Sequence, residues 1–186
     1  KIGDLHDFNG SGDVTNRITD SAPSVVTLHW SDPKGASGND YDFCATNAAV
    51  TVAFACGTDI QNGNDDPYEV IGPQASSRHL IVWVNPGAQP RYLHLNTHRG
   101  ELEHATDGQT SGHSSAKNAF SVAAVDAGDA NGGAFKDNLP LSVETFSSDG
   151  PRRIFFAANG NPITPGNFLS TGGEVRQDPD ITAADG

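Results

Sequence analysis

Between roughly residues 20 and 106 the apolar positions recur with a period of two. Val26, Leu28 and Trp30 alternate with polar or smaller neighbours, and Val50, Val52, Phe54 and Cys56 repeat the pattern, as strands with one buried face require. The run Leu80-Ile81-Val82-Trp83-Val84 is apolar on both faces, and Tyr92-Leu93-His94-Leu95-Asn96 alternates again. Turn clusters punctuate these runs: Asp32-Pro33-Lys34-Gly35, Asn62-Gly63-Asn64-Asp65-Asp66-Pro67 and Asn85-Pro86-Gly87. Short strands at this spacing, with no long segment of helical period, predict an antiparallel β-sandwich of jelly-roll-like kind.

The character changes after residue 106. Thr106 to Ser115 contains only polar residues and glycines, so it adds nothing to a core and reads as a junction. Beyond it, Ala119-Phe120-Ser121-Val122-Ala123-Ala124-Val125-Asp126 is a small-residue strand of the type buried in an α/β sheet. The expected organisation is therefore a β-sandwich module over 1–106 and a partial α/β core segment over 107–186.

Composition narrows the function classes. The 186 residues carry 11 Lys+Arg against 23 Asp+Glu, a formal charge of −12. Such a surface repels a phosphate backbone or an anionic membrane, so neither nucleic acid nor membrane is an expected partner. No run of 18 apolar residues spans a bilayer. The chain holds no Met even at position 1, which leads us to expect a processed or excised piece, and no charged-then-apolar leader is present. Cys44 and Cys56 are the only cysteines, twelve positions apart on what reads as two strands; with no Cys/His cluster around them they suit a disulfide better than zinc. The alternative is a pair of small buried hydrophobes.

Several side-chain groups invite a chemical reading. Asp4-Leu5-His6-Asp7-Phe8-Asn9-Gly10-Ser11-Gly12-Asp13 offers oxygens at alternate positions, and Asp7, Asn9, Ser11 and Gly12 fit the first half of a calcium loop. The twelfth position is Ile18, so the bidentate Glu of an EF-hand is missing. Calcium is the candidate cofactor, with Asp4, Asp7, Asn9 and Asp13 as its candidate ligands; a solvated acidic turn is the competing reading. His94 and His98 would share a metal on a helix, but on a strand they lie roughly 13 Å apart at about 3.3 Å per residue, too far for one ion. His113 with Ser114, Ser115 and Asp126 resembles a Ser/His/Asp set only in composition, because a triad is defined by geometry and neighbouring side chains of an extended segment point apart.

Three later segments together resemble the core of the subtilisin-like serine peptidases. Ser114 to Asp126 is similar to the family's "A-x-x-x-x-x-I-x-V-G-A-x-D" strand, Phe146-Ser147-Ser148-Asp149-Gly150-Pro151 to its "F-S-S-x-G-P" turn, and Gln177-Asp178-Pro179-Asp180-Ile181-Thr182-Ala183-Ala184-Asp185-Gly186 to "K-P-D-I-x-A-P-G". They occur in family order over about 75 residues. The family's "D-T-G", "H-G-T", oxyanion Asn and "Gly-Thr-Ser-x-Ala-x-Pro-His" elements have no matching position here, so the resemblance implies no catalytic residue in this chain. His113 falls just before the strand similar to "V-G-A-x-D" and does not match the family's catalytic His, and Asp126 corresponds to that strand's terminal Asp, a structural position. Trp30-Ser31-Asp32-Pro33 with Gly38-Asn39-Asp40-Tyr41-Asp42 is also similar to the "W-x-D-P…N-D-Y-D-L" signature of pre-peptidase C-terminal-type domains.

The resemblance implies a piece of a secreted, extracellular bacterial endopeptidase. Its partners would be the remainder of the peptidase core and, for the parent enzyme, a protein or peptide substrate. In the parent a Ser attacks the peptide carbonyl, a His serves as base and then acid, an Asp orients it and an Asn stabilises the oxyanion. The rival expectation is a non-catalytic β-sandwich binding module using aromatics such as Trp83 and Tyr92, or a calcium-dependent spacer.

Overall fold

The structure, a computed structural model, describes residues 3–20, 24–136 and 141–185. Gly186, the last residue of the third peptidase-like segment, lies outside them. The fold is mainly β, with two short 3₁₀ turns at Gly112–Ser115 and Ala127–Ala130 and no α-helix among the described residues. Among the described residues no helix is long and apolar enough to cross a membrane. The chain divides into two compact units: Lys1–Ala105 with Phe155–Gly173, and Thr106–Ile154 with Glu174–Gly186.

The described residues of the first unit form nine strands: β1 (Asp4–Leu5), β2 (Asn16–Asp20), β3 (Val26–Trp30), β4 (Tyr41–Thr46), β5 (Ala53–Gly57), β6 (Tyr68–Ile71), β7 (His79–Val84), β8 (Leu93–Asn96) and β9 (Glu101–Leu102). A six-stranded sheet runs β5-β4-β7-β2-β9 with β1 also on β7, and a three-stranded sheet runs β6-β3-β8; every pairing is antiparallel. The inward positions of both sheets meet in one core of Ile18, Val26, Leu28, Trp30, Tyr41, Phe43, Ala45, Ile71, Leu80 and Val82. Period-two alternation alone places Val26, Leu28 and Trp30 on one face, and each large apolar side chain so buried contributes about 1.5–3 kcal/mol. β7 is central, and Leu80, Ile81 and Val82 are all buried, as a strand apolar on both faces requires.

β4 shows how its two faces are used. Tyr41, Phe43 and Ala45 enter the core, while Asp42, Cys44 and Thr46 are buried on the other side. There Cys44 is bonded to Cys56 of β5, its partner in register. Closing a loop of this length stabilises the fold by about 3 kcal/mol in the chain-entropy account.

The alternation around Val50 behaves differently from expectation. Val50 sits in the β4–β5 turn at φ 54°, held by Val50 N–H donating to the Asn47 carbonyl, and β5 starts only at Ala53. Val50, Val52 and Phe54 are consequently exposed. The Asn47 side chain takes the N–H groups of Thr51 and Val52, so turn chemistry overrides the apolar period.

The second unit holds β10 (Val122–Asp126), β11 (Arg152–Ile154), β12 (Glu174–Arg176) and β13 (Ile181–Asp185). β11 and β12 form an antiparallel pair, whereas β10 and β13 pair in parallel, from Val122↔Ile181 to Asp126↔Asp185. Only Ala123 and Val125 of these two parallel strands are buried.

Candidate functional site

The acidic candidate-calcium segment is an excursion between two strand fragments laid along one edge of β7. β1 pairs with Val84 and Trp83, β2 with Leu80 and His79, and the loop between them leaves the sheet. Asp4 pairs through its backbone in β1 and is exposed. Asp7 accepts from the N–H groups of Asn9 (3.2 Å), Gly10 (2.9 Å) and Gly12 (2.9 Å), which use both carboxylate oxygens. Asn9 Oδ1 accepts from Ser11 N–H and Oγ–H at 2.9 and 2.7 Å and from Asp13 N–H at 3.3 Å. Asp13 accepts from Thr15 through one oxygen and lies 2.9 Å from His104 Nε2 through the other. The Gly12 N–H above all holds the Asp7 carboxyl below its ordinary range, and the His104 hydrogen bond does the same for Asp13. Among the described residues no three His, Cys, Asp or Glu side chains converge as a metal-binding group.

A shallow groove of about 230 Å³ runs beside this edge, lined by Asp4, His6, Asp7, Tyr41, Trp83 and Arg91 among others. Burial lowers the affinity of His6 for a proton, with Asp7 opposing it, and the ring stands edge-on to Phe8 at 4.8 Å. Trp83 and Tyr92, the aromatics expected to grip a ligand, are both half-buried. Tyr92 packs on Phe155 at 5.5 Å.

Tyr41 and Arg91 of the groove belong to a polar network built from the Trp-x-Asp-Pro and Asn-Asp-Tyr-Asp segments. Trp30 Nε1–H donates to Ser37 Oγ at 3.0 Å, and Ser37 Oγ–H donates to Asp32 at 2.9 Å. Asn39 gives Asp32 its backbone N–H (3.2 Å) and its side-chain amide (2.8 and 3.0 Å), and Arg91 Nε–H closes the set. Asn39 Oδ1 in turn accepts from Gln89 N–H at 2.7 Å, and Tyr41 O–H donates to the Gln89 carbonyl at 2.8 Å. Among the described residues, no buried side-chain atom of this network lacks a hydrogen-bond partner, so these residues hold the β3–β4 connection in place. Arg91, 59 positions from Asp32, carried no signal in the sequence.

In the second unit the three peptidase-like segments interlock. Asp180 accepts from Ser121 N–H at 2.8 Å and returns its own N–H to the Ser121 carbonyl at 2.9 Å, which sets the register of β13 on β10. On the other edge of β10, Ala124 N–H donates to Ser147 Oγ at 2.8 Å and its carbonyl accepts from Glu144 N–H at 3.0 Å. Asp149 accepts from Gly108 and Gln109 N–H and, through its carbonyl, from Thr110. Gly150 lies so close to the third segment that a Cβ there would fall 1.6 Å from the Asp178 carbonyl oxygen. A polar cleft of about 250 Å³ between Lys117 and the 174–180 stretch includes Arg176 and Asp178.

The other residues singled out in the sequence lie in strands and turns. His94 lies opposite His29 across β8 and β3, whereas His98 follows in a turn at φ 61° with its Nε2 3.1 Å from Thr27 Oγ1. Ser115 is buried with its hydroxyl donating to the Gly112 carbonyl, and Asp126 caps the next 3₁₀ turn by accepting from Gly128 N–H. The His29–His94 pairing is beyond sequence spacing, because 65 residues separate strands that the sheet makes neighbours. Comparison with protein-family models, with curated proteins and with solved structures finds no match to this chain.

Proposed function

We propose that the chain is a non-catalytic part of a secreted subtilisin-like serine endopeptidase: a jelly-roll-like β-sandwich inserted next to part of the peptidase's α/β core. The observation that carries this reading is the parallel pairing of β10 with β13, whose strands belong to the first and third peptidase-like segments. Ser147 and Gly150 of the middle segment contact both of the others. Parallel strands are normally covered on both faces in α/β proteins, yet Phe120, Val122 and Ile181 are exposed in this unit. The remainder of the core is the cover this reading supplies. Peptide hydrolysis then belongs to the parent enzyme, whose nucleophile, base and oxyanion donor lie outside this sequence.

The test is activity-based labelling. A fluorophosphonate probe is expected to leave this polypeptide unlabelled and to label the product of the intact gene at a Ser within a Gly-Thr-Ser-x-Ala motif. Labelling of the isolated chain, or an intact gene without such a motif, overturns the assignment.

A further inference from the structure

Glu69 lies in β6, the edge strand of the three-stranded sheet, in register with Leu28 of β3, so its side chain points into the interior between the sheets. It is 2% exposed, one of the most deeply buried side chains of the protein. Its side-chain partner is Gln61, whose Nε2–H donates to Oε1 at 2.9 Å. Gly57 of β5 covers the carboxyl so closely that a Cβ there would stand 2.6 Å from Oε2. No Lys, Arg or His pairs with it among the described residues.

The groups facing this carboxyl are apolar or acidic. The β5–β6 connection brings Asp59, which donates its N–H but whose charge opposes that of Glu69, together with Gln61; β4 brings Phe43, with the Asp42 charge acting from the strand's other face; β3 brings Leu28; β5 brings Gly57 and no charge. Asp42 is itself engaged by Asn85 Nδ2–H at 2.7 Å and so offers Glu69 no relief. Gln61 is 4% exposed and its Oε1 has no hydrogen-bond partner. Turning the amide over would aim that carbonyl at Glu69, where only a protonated carboxyl can donate to it. A buried carboxylate with two N–H donors, no cation and acidic charges nearby is costly, whereas the neutral acid removes both the desolvation and the repulsion.

We propose that Glu69 and Gln61 form a pH-sensitive latch on the β5–β6 side of the first unit, closed when Glu69 carries a proton and loosened when it ionises. Burial above all, with the Asp59 charge adding to it and the Gln61 hydrogen bond opposing, pushes the Glu69 carboxyl from 4.5 up to about 7. An acid whose folded-state affinity for the proton is raised stabilises the fold below its unfolded value and loses that contribution as the pH climbs through the folded value. In the folded chain the latch is therefore shut below about pH 7 and open above it, while the stability it contributes is complete below about 4.5 and lost as the pH climbs through about 7. This inference concerns the first unit alone and does not depend on the peptidase reading.

Trp30 and Trp83, the two tryptophans of the chain, both lie in the first unit, so tryptophan fluorescence follows its unfolding selectively. Urea unfolding of the full chain at pH 5.5 and 8 is expected to show a folding equilibrium constant lower by roughly tenfold or more at pH 8. Glu69→Gln should remove most of that difference, and amide exchange over residues 57–72, corrected for intrinsic rate, should speed up at pH 8 in the wild type alone. Carbon-13 titration of the Glu69 carboxyl in the unaltered chain gives a reading that survives any misfolding of the variant. A midpoint near 7 supports the latch; a midpoint below 5, or an undiminished pH slope in a folded Glu69→Gln protein, overturns it.

Discussion

Asp32 loses its hydration on folding and recovers it as protein donors: Ser37, both amide groups of Asn39 and the Arg91 guanidinium. Removing a carboxylate from such a set strands a half-buried Arg91 and orphans the donors, which is more costly than the pair is worth intact. Asp32→Ala is therefore expected to destabilise the first unit by about 3–5 kcal/mol, read by urea unfolding with Trp30 reporting directly, since its Nε1–H bonds to Ser37. A loss below 1 kcal/mol would mean that the network is dispensable. The titrating residues split by sign. Asp7 and Asp13, held low by Gly12 N–H and by His104, contribute stability above the ordinary carboxylate range that is lost as pH falls below it. Glu69 runs in the opposite direction, so the first unit is most stable in mildly acidic solution.

At the scale of the element, the loop between β1 and β2 turns its oxygen-rich pattern onto its own backbone. Asp7, Asn9 and Asp13 sit where Asx turns need them, and their oxygens already serve six backbone N–H groups. Calcium would have to displace those donors and the His104 contact at Asp13. Millimolar calcium is accordingly expected to leave the melting temperature of the first unit unchanged, whereas a ligand held by the folded state alone would raise it. An upward shift that Asp7→Asn abolishes would restore the loop as a cation site. The strands that the sequence makes legible are those whose apolar period matches their burial, β3 and β7, because both faces of those strands are decided by the core. β2 and β6 escaped notice since Asn16-Arg17-Ile18-Thr19-Asp20 and Tyr68-Glu69-Val70-Ile71 carry polar residues at buried positions, Asn16 and Glu69. The disulfide partners were legible from their isolation as a pair. The Asp32–Arg91 contact was not, being set by tertiary packing over 59 residues.

For the whole molecule, both units are net acidic, and the second exposes apolar side chains around its strands. The first unit closes its sheets over one core, but the second leaves Phe120 69%, Phe146 68%, Val143 56% and Val122 53% exposed around a two-stranded parallel sheet. Its β13 is exposed along all five residues and pairs on one side with β10. An open edge beside uncovered apolar side chains is a template for association with another chain. A formal charge of −12 works against this, because like-charged copies repel over a range set by the Debye length. Self-association of the isolated chain is therefore expected to increase with salt as the screening length falls from about 30 Å at 0.01 M to about 8 Å at 0.15 M. Sedimentation velocity across that salt series, with dye binding to report apolar surface, measures it. Phe120→Ser together with Val122→Thr, both outward-facing, should suppress association without changing the unfolding of the first unit. Chain that stays monomeric and binds no dye throughout would show that the second unit needs no cover, and with that the structural support for a larger core around β10 and β13 would be gone.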